Sequence, residues 1–318
     1  MKARLRFISS LMAAAGMTLL SPSACAQTAY PEKSVTFVVG FSPGSSIDLV
    51  ARTVAKNLAS KLKQTVLVEN KPGAGGNLAA EAVARAKPDG YTLLVVANSI
   101  AISPAVYPNL NFDVKKDLAA IAYMGIGPVI MKVSRSSKLD SVKALIEQAK
   151  ANPEKLNYGS SGEGGTPHMA TVLFEQVAGI RMTHIPYKGG GEALAALLGG
   201  QVDLLINPLL GDTKSDKILS LAITGNTRSP LAPEVPTFKE LGYDFNLGVY
   251  YGLMGPKAMP AKIVEKLNES VNEALTDKEV VEALTARSGI VLQRMTPAEF
   301  QDYLNKDMDL WKRIGARK

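Results

Sequence analysis

The segment Val35-Thr36-Phe37-Val38-Val39 runs directly into Gly40-Phe41-Ser42-Pro43-Gly44-Ser45-Ser46-Ile47-Asp48, and from there into Leu49, Val50, Thr53, Val54, Asn57, Leu58 and Leu62 at helical spacing. A β-favouring run, a small-residue turn and a 3.6-period apolar face predict strand, loop and helix, with one face of the helix 47–62 buried. The same rhythm recurs down the chain. Strands are expected over 65–69, 91–97, 129–133, 156–159, 183–186 and 202–206, and helices over 78–86, 141–150, 167–178 and 192–198. Alternation of this kind predicts α/β architecture with largely parallel sheets. A strand over 250–254 precedes helices over 261–275, 278–287 and 297–314, with a short strand near Val291, so the last third is expected to pack back on the first. A length of 318 residues suits two domains, and no linker separates them. The chain should therefore cross between domains more than once and leave a cleft at the crossovers.

The N-terminus carries a separate signal. Lys2, Arg4 and Arg6 lead into an apolar run over 7–20, Pro22 breaks it, and Ala24-Cys25-Ala26 offers small residues for cleavage. That run is short for a bilayer span, so residues 1–26 read as a signal peptide cut after about Ala26. Cleavage there removes Cys25, the single cysteine, and with it disulfides, thiol catalysis and thiolate metal sites. The formal charge of +7 falls to +4 without residues 1–26. Basic residues nowhere cluster with aromatics, so nucleic acid is not an expected partner.

Catalytic motifs fail on their mechanics. Gly40-Phe41-Ser42-Pro43-Gly44 fits G-x-S-x-G between a strand and a helix, the setting of a hydrolase nucleophile. Its oxyanion hole needs the N–H after the serine, and Pro43 has none. No histidine follows in the last hundred residues; the two present are His168 and His184. No metal-ligand spacing or phosphate loop is present, and Gly73-Ala74-Gly75-Gly76 reads as a tight turn with Asn77 capping a helix. No enzyme activity, cofactor or metal is expected. What remains is three small-residue loops, Phe41 to Asp48, Gly159 to His168 and Tyr187 to Glu192, each feeding a helix. Free N–H groups and the positive dipole end at a helix start favour a carboxylate or phosphate, so the chain reads as an exported anion-binding protein.

These loops sit in a run of longer motifs. Val68-Glu69-Asn70-Lys71-Pro72-Gly73-Ala74-Gly75-Gly76-Asn77 is followed by Lys87-Pro88-Asp89-Gly90-Tyr91-Thr92, then Leu156-Asn157-Tyr158-Gly159-Ser160-Ser161-Gly162 with His168. Ile185-Pro186-Tyr187-Lys188-Gly189, Gly199-Gly200-Gln201-Val202-Asp203 and Pro233-Glu234-Val235-Pro236-Thr237 complete the set. In this order, from about Tyr30 onward, the chain resembles the Bug-type (TctC-like) solute-binding proteins of tripartite tricarboxylate transporters.

The resemblance implies a two-lobed, type II-like periplasmic binding protein, two mixed α/β domains with a central ligand cleft. Residues 27–126 plus 250–318 would form the first domain and 127–249 the second. It implies a monomer that binds a small carboxylate-bearing solute and hands it to membrane permease subunits. The alternative is a sensor subunit of the same fold that signals to a membrane kinase. Carried over, Phe41, Ser45, Ser46 and Asp48 form one jaw and Ser160, Ser161, Gly162 and Thr166 the other. Asp48 is expected to cap the helix start or receive a ligand amine or water, and His168 to brace its loop. The chain departs from the family pattern in three places: Ser45-Ser46-Ile47 stands where glycine and threonine are usual, Asn207 replaces a carboxylate at the distal end of the ligand, and Tyr250-Tyr251 stands for a tryptophan.

Overall fold

A computed structural model of the protein describes residues 30–208 and 216–315. The expected signal peptide and its cleavage site lie outside the described residues. The chain alternates through β1 (Val35–Val39), α1 (Ser46–Leu62), β2 (Val66–Asn70), α2 (Asn77–Ala84), β3 (Thr92–Val96), α3 (Ser99–Val106) and α4 (Val114–Asp117) to the long β4 (Leu118–Ser134). It continues through α5 (Val142–Ala151), β5 (Asn157–Ser160), α6 (Thr166–Ala178), β6 (Thr183–Pro186), α7 (Gly190–Leu198), β7 (Leu204–Pro208), β8 (Ile218–Ile223) and β9 (Gly248–Pro256). Helices α8 (Ala261–Ala274), α9 (Lys278–Val281) and α10 (Pro297–Gly315) follow, α9 running on into a π turn.

The described strands join in one nine-stranded sheet, ordered β2-β1-β3-β9-β4-β7-β5-β6, with β8 also paired to β4. β4 belongs to both halves of it. Residues 118–128 pair with β9, and residues from Val129 onward pair with β7 and β8. The expected domain limits at 126/127 and 249/250 thus fall inside continuous strands.

The expectation of largely parallel sheets needs correction. β1–β2, β1–β3, β5–β6 and β5–β7 are parallel, but β3–β9, β9–β4, β4–β7 and β4–β8 are antiparallel. A helical crossover imposes parallel pairing only on the strands it connects. β9 follows β8 without an α-helix among the described residues, and it enters the centre of the sheet in the opposite direction.

β4 bends over 120–125, where its register against β9 shifts twice. Gly125 is required there: its φ is +142°, and a Cβ would sit 2.6 Å from the Val291 carbonyl. The strand expected near Val291 is a single bridge to Ile126, with N–H···O distances of 3.0 and 2.8 Å.

α1 buries Ile47, Val50, Ala51, Val54, Ala55, Leu58 and Leu62 against the sheet. Leu49, expected on that face, is 37% exposed. The contact row is shifted because Ala51 and Ala55 let the helix axis approach the strands. The return of the C-terminal helices is observed: α10 inserts Phe300, Leu304, Met308 and Trp311 among Val96, Ile100, Tyr123 and Tyr250. In the other half, Phe174, Phe238 and Phe245 form an aromatic core with centroids 4.8–5.7 Å apart.

Candidate functional site

The first loop is held from behind. Asp48, 3% exposed in the first turn of α1, accepts hydrogen bonds from the Gly44 amide (2.9 Å), Asn70 Nδ2 (2.8 Å) and Arg52 Nε (3.0 Å). Asn70 Nδ2 also donates to the Phe41 carbonyl at 2.9 Å. Burial by itself raises the Asp48 pKa, but the bonds from Arg52, Gly44 and Asn70 outweigh it and hold the carboxyl below its ordinary value. Asp48 is therefore a neutralised brace. Ser45 occupies the N-cap position in extended conformation, yet its side chain does not cap the helix; its Oγ is buried and without a partner.

The second loop is wound on two stacked histidines. Ser160 Oγ lies 2.6 Å from His184 Nε2 and accepts the Gly162 amide at 3.1 Å. His168 Nδ1 accepts the Gly164 amide at 3.1 Å, and the two imidazoles stack at 4.1 Å. His168 thus braces the loop, as expected from the sequence. α6 then starts at Thr166 with Pro167 in its first turn, where a missing N–H costs nothing. In the third loop the Glu192 carboxylate accepts the Lys188 amide at 3.2 Å, and α7 starts at Gly190. The Lys188 side chain is exposed.

The starts of α1, α6 and α7 converge on one cavity of about 140 Å³. Ser45, Ser46, Thr166, Pro167, Gly190 and Gly191 come from these helix starts, and the sheet contributes Lys132 and Asn207. Among the described lining residues none is acidic. Unbonded first-turn amides and three positive dipole ends make this a place for negative charge. A cavity of this volume has room for a small solute.

Two hydrogen bonds join the halves around the cavity. Tyr107 Oη donates to the Glu163 carbonyl at 2.7 Å, and Ser42 Oγ to the Lys188 carbonyl at 3.1 Å. Close backbone approach requires glycine here: at Gly75, φ +64°, a Cβ would lie 2.6 Å from the Glu163 carbonyl. Behind Phe41, a second cavity of about 10 Å³ borders the unpartnered Asn77 Nδ2, room for a single water. Asn77 is the first residue of α2 and Gly76 its N-cap, which corrects the capping role expected for Asn77.

Of the residues singled out from the sequence, Phe41, Ser45, Ser46, Ser161, Thr166 and Asn207 line the large cavity together. Asp48, Ser160 and Gly162 shape the loops without lining it. Tyr250 is a core residue: it is fully buried, with ring centroids 6.1 Å from Tyr123 and 5.2 Å from Tyr303. Its chain neighbour Val249 faces the cavity instead. Sequence reasoning passed over Lys132, a lysine inside the apolar run Val129-Ile130-Met131-Lys132-Val133. That placement was itself the signal, because lysine is almost never fully buried without a reason.

A sheet with one strand common to both halves, and helix starts meeting at a cavity between them, defines a solute-binding receptor. The model of the tripartite tricarboxylate transporter family receptor matches residues 50–316, and the chain belongs to that family. Protein BugT of Bordetella pertussis (strain Tohama I) is 36% identical over 288 residues, covering 89% of this chain and 88% of BugT. The structure of the periplasmic binding protein BugD superimposes with a TM-score of 0.86 at 31% identity, over 91% of this chain and 98% of BugD. MatC from Rhodopseudomonas palustris, solved with bound malate, gives a TM-score of 0.86 at 30% identity, over 90% of this chain and all of MatC, 100%. The chain is a binding receptor and not an enzyme.

Proposed function

We propose that this protein is a periplasmic receptor that binds a small carboxylated solute in the cavity and, as a monomer, delivers it to the membrane permease subunits of a tripartite transporter. The observation that carries the reading is the convergence of three helix starts on a cavity with no acidic residue among its described lining. The malate bound in MatC supports it. In this reading Phe41, Ser45 and Ser46 grip the solute from one lobe and Ser161 and Thr166 from the other, with Asn207 at its distal end. Asp48, Ser160 and Gly162 hold the two gripping loops in shape. The lobes are residues 27–126 plus 250–318 and residues 127–249, and they hinge where β4 and β9 pass between them.

Native mass spectrometry of the freshly purified protein, followed by calorimetry with a panel of mono-, di- and tricarboxylates, tests the binding step. Affinity for at least one carboxylate with one-to-one stoichiometry is expected. Binding of neutral solutes only would overturn the reading. Uptake of the labelled acid into vesicles carrying candidate permease subunits, dependent on added receptor, tests delivery.

A further inference from the structure

The loop before α6 presents one peptide group that is held from both sides. The Gly164 amide donates to His168 Nδ1 at 3.1 Å, and the carbonyl of the same peptide bond, on Glu163, accepts Tyr107 Oη at 2.7 Å. Tyr107 is the C-cap of α3, in the other half of the molecule. A peptide group is planar, so an imidazole in one half and a phenol in the other fix a single rigid plane. Its surroundings are tight: a Cβ on Gly164 would lie 2.7 Å from the Tyr107 ring, and one on Gly75 2.6 Å from the Glu163 carbonyl. His168 and Gly164 are both buried.

A backbone N–H can only donate, so His168 Nδ1 carries no proton in this arrangement. An imidazolium has an N–H at both nitrogens, and two donors would then face each other. His184, stacked 4.1 Å away, makes a contact that survives either state, since the Ser160 hydroxyl at its Nε2 donates or accepts. The titratable groups around the His168 ring are His184 on β6, Tyr158 on β5 at 6.3 Å, and the exposed Glu163 in the loop itself. Burial, reinforced by Glu175 of α6, raises the Tyr158 pKa, and burial raises that of Tyr107, so both phenols stay neutral. Imidazole is the side chain here whose ordinary range of titration lies between about pH 5 and 8.

We infer that the 163–164 peptide is a proton-sensitive clasp: neutral His168 holds it towards Tyr107, and protonation of His168 turns the plane and undoes this contact between the halves. The clasp rests on the geometry of the loop. Its consequence, that acid loosens the grip on the solute, rests on the receptor reading above.

Nuclear magnetic resonance on the purified, solute-free protein tests the clasp from pH 7.5 to pH 4.5. Three signals are followed: the hydrogen-exchange protection of the Gly164 amide, the His168 ring, and Tyr107 Cζ. In wild type the protection is expected to fall by about tenfold, the worth of one hydrogen bond, and Tyr107 to shift at the midpoint of the His168 ring. His168→Asn offers a side-chain oxygen that accepts but does not titrate, so Gly164 should stay protected and Tyr107 unmoved throughout. His168→Phe offers no acceptor and should leave Gly164 unprotected at every pH. Equal protection of wild-type Gly164 at both ends of the range overturns the proposal. So does a Tyr107 signal that does not follow His168, or a His168→Asn variant that titrates as wild type does. No solute takes part, so these failures leave the receptor reading standing, whereas that reading fails on carboxylate calorimetry at pH 7.5.

Discussion

Asp48→Ala removes the acceptor on which the first loop is folded. Adding three bonds to a charged group at about 1.5–3 kcal/mol each overstates the loss, since the partners are not left stranded. Gly44 is exposed, so water reaches its amide. The Arg52 side chain is half-exposed and keeps a 2.8 Å bond to Asn70 Oδ1. Asn70 Nδ2 keeps the Phe41 carbonyl. The net cost is therefore about 2–3 kcal/mol, close to one charge-assisted bond plus a small cavity. For a chain of this size that lowers Tm by about 3–5 °C, readable by calorimetric or fluorescence melting.

The effect has a defined pH dependence. The folded-state pKa of Asp48 lies below its ordinary value of 3.8, so its contribution is present above that value and is lost as pH falls through the folded pKa. The gap between wild type and variant should hold from pH 7 to 5 and close in acid. Ligand affinity should fall by about tenfold, because Phe41 and Ser45 lose the register that Asp48 imposes. Equal melting temperatures at pH 7 would refute the bracing role. Complete loss of binding with an unchanged melt would place Asp48 against the ligand itself.

Asp307, on α10, is pushed up to about 6 by burial, which the nearby Tyr250 and Trp311 donors counter only in part. The contribution of Asp307 to wild-type stability therefore falls as pH rises from about 4 through about 6, and Asp307→Asn should be up to about 3 kcal/mol more stable than wild type at pH 7.5, with no advantage below pH 4 in urea titrations. Gly75→Ala places a Cβ 2.6 Å from the Glu163 carbonyl at φ +64°, so calorimetry should show weaker solute binding while the fold, followed by circular dichroism, persists. Wild-type affinity in that variant would mean that the rim contacts do not contribute to closure. Ser161→Asp puts an anion on the cavity wall beside a helix start that tolerates one, so carboxylate binding should vanish from calorimetry with little change in melting temperature.

The three small-residue loops were legible because each reports its own local physics: Ser, Gly and Thr before a periodic apolar run mark a helix start in any context. Their convergence was not, since it depends on β4 bringing two halves of a sheet together. Only 129–133 of that strand stood out, and the run 118–128 has small and apolar residues on both faces and no alternation to read. α3 stayed hidden because Pro104 lies inside it, with the Ser103 hydroxyl returning to the Ser99 carbonyl at 2.7 Å. Tyr250 was placed in the site by the resemblance, as one of two tyrosines standing for a family tryptophan. In a strand, neighbours face opposite sides, and the one-residue difference exchanges cavity for core.

Met254 of β9 pairs with Leu94 on one side and Ala120 on the other. The strand that stitches β3 to β4 is thus synthesised long after both. A chain emerging N-terminus first can assemble β1, β2 and β3 with their helices, but β3 and β4 wait with open edges. Closing so long a loop carries an entropic cost that native contacts repay only at the end, which makes this pairing a slow step. Unpaired edges held open meanwhile invite pairing with other chains. A fragment ending before Gly248 keeps those edges permanently, so the β1–β3 half of the sheet is complete only in the finished molecule and not in the nascent one.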